Sequence, residues 1–89
     1  MDIPFFVHHV GRWRFVLFRL PHPEGGLQGF ADVHDGYDKL CRVTLTGRFP
    51  TQNALGAALN DRCLRWVDDW EAQRLASMGP DWSYPLQPN

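Results

Sequence analysis

Arg12-Trp13-Arg14-Phe15-Val16-Leu17-Phe18-Arg19-Leu20 puts six aromatic or aliphatic side chains into nine residues. Aromatic and β-branched residues at this density mark a strand. Alternation sends Trp13, Phe15 and Leu17 to one face and Arg12, Arg14, Val16 and Phe18 to the other. The strand ends at Pro21-His22-Pro23-Glu24-Gly25-Gly26, where two prolines remove backbone donors and two glycines admit positive φ. A loop this short returns the chain antiparallel, so Leu27 to His34 is the second strand of a hairpin.

Outward from the hairpin, Asp35-Gly36-Tyr37-Asp38 reads as a turn and Lys39 to Gly47 as a third strand. There Cys41, Val43 and Leu45 alternate with Arg42, Thr44 and Thr46, giving one buried and one wet face. Upstream, the apolar segment Ile3–Val7 is able to add a fourth strand that bends into the first at Gly11.

Downstream, Pro50-Thr51 opens a helix, with Thr51 as N-cap. No proline recurs until Pro80, and Gly79-Pro80 predicts the stop. Leu55, Leu59, Cys63, Trp66, Val67 and Trp70 fall within about a third of the helical circle, the stripe of a helix packed on a sheet. From Gln52 to Met78 such a helix is about 40 Å long, against about 30 Å for a nine-residue strand. Its end therefore overhangs, and Leu64, Leu75 and Met78 form a second, weaker apolar strip on another azimuth.

The expectation is an α+β domain over residues 1–79: a three-stranded, or with Ile3–Val7 four-stranded, antiparallel meander packed on one long C-terminal helix. Residues 80–89, with Pro80, Pro85 and Pro88, read as an extended tail.

Eighty-nine residues make one domain with a modest core, which disfavours a deep enclosed active site. Nine Lys and Arg stand against ten Asp and Glu. Residues 1–50 carry +1 and residues 51–89 carry −2, so neither half is a polybasic footprint and non-specific DNA binding is disfavoured. The N-terminus has an acidic residue and no basic leader region, and its apolar run of four residues, Ile3, Phe5, Phe6 and Val7, is broken off by two histidines. That matches neither a secretory signal nor a membrane span, so a cytoplasmic protein with two reduced thiols, Cys41 and Cys63, is expected.

The residues do not assemble a known chemistry. His8 and His9 point to opposite faces of a strand, and His22 and His34 lie elsewhere without ligand spacing, so no metal site is expected. Asp68, Asp69 and Glu71 diverge around a helix rather than converge. Neither Ser77 nor Ser83 sits in a nucleophile motif, and Gly25-Gly26-Leu27-Gln28-Gly29 precedes a strand, not a phosphate-binding helix N-terminus. No catalytic residue and no cofactor is expected.

The feature left over is surface. Arg12, Arg14, Val16, Phe18, Phe30 and Arg42 would share the sheet face turned away from the helix, and Leu64, Leu75 and Met78 the second helix strip. Three covers are conceivable for the sheet face: the Ile3–Val7 segment or the Trp82/Tyr84 tail, a protein partner or second copy, or an unpaired nucleic acid. A non-enzymatic protein that binds another protein or forms a homodimer is the expected function. A nucleic-acid-binding regulator is the alternative.

Overall fold

The computed structural model describes residues 3–83, with side chains to Ala76. Four strands, β1 (Phe6–Val10), β2 (Trp13–Pro21), β3 (Leu27–Asp35) and β4 (Asp38–Phe49), precede one helix, α1 (Gln52–Ser83). The strands form a single antiparallel sheet in the order β1-β2-β3-β4. The fourth strand is thus present, shifted from Ile3–Val7 to Phe6–Val10, and it turns into β2 through Gly11 at φ 58°. Lying beside β2, it extends the sheet and covers neither face.

One face of the sheet makes the core. Trp13, Phe15 and Leu17 from β2, Ala31 and Val33 from β3 and Val43 from β4 are buried against Leu55, Leu59, Cys63 and Val67 of α1. Trp66 and Trp70, expected inside the stripe, are half-buried at its margin, where both meet Trp13 edge-on, at 6.3 and 5.4 Å between ring centroids. Indole side chains at the end of the sheet have room on only one side. Residues 3–5 enter on this same side: Phe5 donates its N–H to the Leu17 carbonyl at 2.9 Å and packs on the core.

Helix and sheet come close together at Gly29. A Cβ there would lie 2.4 Å from the Phe18 carbonyl oxygen and 3.0 Å from Leu55, so only glycine lets α1 sit this close. The N-cap is formed, with the Ala54 N–H donating to Thr51 Oγ1 at 3.1 Å. α1 starts beside the β2–β3 loop and reaches the opposite end of the sheet at Trp70, above Trp13. It then runs on to Ser83, four residues past the predicted stop. Thirteen residues after Trp70 amount to about 20 Å of helix beyond the sheet.

Candidate interaction surface

The second face of the sheet carries no layer of its own among the described residues. Register places its side chains in three rungs. His9, Arg14, His34 and Lys39 form the rung nearest the helix overhang; Val7, Val16, Asp32 and Arg42 form the next; Phe18, Phe30 and Thr44 form the third. Lys39 is there because of a bulge in β4: His34 pairs with Lys39 while Val33 pairs with Cys41, leaving Leu40 as the extra residue. Without that insertion Lys39 would face the helix.

The first rung consists entirely of basic side-chain types. Like charges directly opposite each other on neighbouring strands repel. The His34 imidazole is held below its usual range by burial first and then by Arg14, and also by Lys39, with Asp32 acting in the opposite sense. His34 Nδ1 and Arg14 Nε are both enclosed by protein and lack a hydrogen-bond partner.

Asp32 sits at the centre of the second rung with only 7% of its surface exposed. Arg42 grips it with two parallel bonds, Nε to Oδ1 at 2.7 Å and Nη2 to Oδ2 at 3.1 Å, and Lys39 Nζ lies 3.5 Å from Oδ2. Burial alone would raise the Asp32 carboxyl. The hydrogen bond and charge of Arg42, with Lys39 behind them, outweigh it and hold the group below the usual carboxylate range.

In the third rung, Phe18 stacks on Phe30 at 4.8 Å between centroids and 20° between planes. The Arg42 guanidinium lies 4.2 Å from the Phe30 ring centroid. Arg42 therefore links the carboxylate of one rung to the aromatic pair of the next. Val16, Phe18 and Phe30 are each only half-covered by these neighbours.

Arg14, Val16, Phe18, Phe30 and Arg42 are accordingly brought together on one surface, as expected. Arg12 is not among them. Following Gly11 in the β1–β2 turn, it is outside the strand alternation, and its guanidinium lies 4.9 and 5.9 Å from the Trp13 and Trp70 ring centroids, paired with Asp35 at 3.2 Å. It belongs to the helix side, in a shallow groove with Trp70, Glu71, Arg74 and Leu75.

Comparison with protein families, curated proteins and solved structures finds no match.

On α1, Leu64 and Leu75 are exposed, as the second strip requires, and Leu75 retains 69% of its surface. Met78 lies outside the described side chains. Asp32, His34, Lys39, Val7 and His9 are surface members that the sequence reading missed. The apolar doublet Leu40-Cys41 was the available signal, since it breaks the alternation that would have placed Lys39 on the wrong face.

The described residues hold no cluster of three or more His, Cys, Asp or Glu able to take a metal ion, and no described helix is long and apolar enough to cross a membrane. Cys63 lies in the core, where burial and the neighbouring Cys41 push its thiol up to about 12. A thiol in that range is unreactive at neutral pH.

Proposed function

We propose that this chain is a non-enzymatic association module whose working surface is the outer sheet face, with a protein as its ligand. One observation carries the reading: among the described residues, a sheet face bearing Val16, Phe18 and Phe30 around a buried, charge-paired Asp32 has no layer of its own chain over it, the Trp82/Tyr84 tail lying outside the described side chains. Open faces of this kind on small domains serve as interfaces. Its polar centre is pre-paired, so docking apolar surface there does not strand a lone carboxylate.

The nucleic-acid alternative draws support from the basic rung and loses it at the third. Phe30 has Phe18 on one side and Arg42 against its ring, so a base would have to displace one of them to stack there. Arg42 is engaged by Asp32, so a phosphate would compete with a carboxylate already in place.

Titration with mixed-sequence single-stranded oligonucleotides at low and moderate salt separates the two. For the parent, no complex tighter than about 10 µM is expected even at low salt, because a chain of net charge −1 offers little long-range attraction. Submicromolar, salt-sensitive binding that is lost in both Arg14→Ala/Arg42→Ala and Phe18→Ala would replace the protein reading with the nucleic-acid one.

A further inference from the structure

His9, Arg14, His34 and Lys39 stand side by side on the four strands of the outer face, and their counter-charge is missing among the described residues. Neighbouring strands lie about 4.8 Å apart, so each head group is within reach of the next. Asp32, the one acid of this face among the described residues, is held through both carboxylate oxygens by Arg42 and meets Lys39 only at 3.5 Å. The next acids along the strands, Asp35 and Asp38, alternate to the helix side, where Arg12 takes Asp35 at 3.2 Å. Within the described residues the side chains of His9, Arg14 and His34 form no hydrogen bond and no ion pair.

The bulge at Leu40 creates this concentration of charge. A regular β4 would turn Lys39 to the helix side; the inserted residue sets it beside His34 instead, and places a second cation one strand beyond Arg14 and His34. The head groups are also accessible. Arg14 Nε and His34 Nδ1 are enclosed, whereas Arg14 Nη1 and Nη2 and His34 Nε2 reach the surface.

We infer that this rung is an oxyanion site, in which Arg14, His34 and Lys39 receive a phosphate-type dianion, either free phosphate or a phosphomonoester. The site lies at one end of the outer face and is separate from the association reading, holding whatever docks over Phe18 and Phe30. Charge selects the ligand. With Asp32 offset by Arg42, Arg14 and Lys39 leave a formal +2, which a dianion neutralises and a carboxylate or phosphodiester, at −1, only halves. Donor geometry agrees: the guanidinium offers paired N–H groups to two oxygens, and the ammonium and imidazole supply donors for a third.

Such a site is linked to protons. Burial, then Arg14, and also Lys39 hold the His34 imidazole below its usual 6.5, with Asp32 opposing them. His9 closes the rung from β1 beyond Arg14, and α1 packs on the other face of the sheet. An anion that neutralises Arg14 and Lys39 lifts their repulsion and favours the imidazolium. Binding therefore takes up a proton at His34 and tightens as pH falls through the histidine range.

Sulfate is the first probe, because it stays a dianion throughout that range and leaves any pH dependence to the protein. It is titrated into the ¹⁵N-labelled full chain at constant ionic strength, with chloride as the balancing salt. Saturable binding with a Kd of about 10 mM or tighter is expected. Resonances of Arg14, His34 and Lys39 should move, and those of Arg12, Arg48 and Arg65 should not. Affinity should rise roughly tenfold between about pH 8 and about pH 5.5. At the lower pH, Arg14→Gln and Lys39→Gln should each weaken binding at least about tenfold. His34→Gln should still bind but lose the pH dependence. Unmoved amides at Leu55 and Leu59 show that the variants are folded, and Lys39→Gln, at an exposed position, carries the test should Arg14→Gln not fold. Inorganic phosphate and a capped tripeptide with phosphoserine between two glycines then separate the sources. Tighter binding of the tripeptide assigns the site to a phosphorylated segment, and equal or weaker binding to free phosphate.

Shifts spread evenly over all the arginines, a parent affinity indifferent to pH, or an Arg14→Gln or Lys39→Gln variant that is folded and binds as the parent does would each overturn the inference. So would a single-stranded oligonucleotide that binds where sulfate and phosphate do not, since the rung would then belong to a phosphodiester surface.

Discussion

Asp32 is the residue on which the outer face is organised. A carboxylate this buried is tolerated because Arg42 meets it bidentately and Lys39 stands behind. Arg42→Ala should cost about 1–2 kcal/mol, held down because the Arg42 side chain is 48% exposed and its charge is screened by water. Urea denaturation would measure it, and an unchanged midpoint would mean that the pair is incidental. The pH dependence follows from the sign of the shift. Asp32 has a folded value below its ordinary 3.8, so its contribution is complete above that value and is lost as pH falls through the lower folded one. His34, also lowered, behaves alike around a different value. Its neutral form is favoured by folding, so stability is complete above 6.5 and declines as pH falls below it. His34→Gln should flatten the drop in melting temperature between about pH 7 and about pH 5, and a parent with no such drop would contradict the assignment.

α1 packs on the sheet through Leu55, Leu59, Cys63 and Val67. Leu59 is fully buried beneath the sheet, and Leu59→Ala should cost about 2–5 kcal/mol. Trp66, on the margin, should cost roughly half the ~3–5 kcal/mol of a buried tryptophan truncation. Equal losses for the two would move Trp66 into the core. Gly29→Ala tests the close approach from the other direction: its methyl group meets backbone oxygen and Leu55, and about 1–3 kcal/mol of overpacking is expected by thermal denaturation. These elements were legible in sequence to different degrees. Strand alternation in β2 and the 55–59–63–67 spacing of α1 are direct images of burial, and both appear where they were read. The half-burial of Trp66 was not legible, because azimuth on a helix does not say where the sheet beneath it ends. Lys39 and Arg12 were misplaced or missed for a shared reason: a bulge at Leu40 and a turn at Gly11 each break the two-residue period from which faces are inferred.

For the whole molecule, one sheet face and one long helix account for nearly all of the buried core, and the rest of both elements is left facing outward. A small domain with a thin stability margin gains from covering such surface. The site was half legible from sequence. Arg14, Val16, Phe18, Phe30 and Arg42 could be placed on one face by alternation, whereas the pairing of Asp32 with Arg42 depends on cross-strand register, which alternation leaves open. The chemistry of the face, an apolar patch built over an internal ion pair with an all-basic rung at one end, therefore emerges only with the folded sheet.

On the proposal above, the outer sheet face is where the protein associates. Backbone amide spectra of the ¹⁵N-labelled chain, recorded over about a hundredfold dilution, report on it residue by residue. Association through this face predicts concentration-dependent shifts concentrated at Arg14, Val16, Phe18, Phe30 and His34 on the sheet, with the core positions Leu55 and Leu59 unmoved. Shifts confined to the polar side of α1 around Asp61 and Arg65, with the sheet face silent, would contradict it.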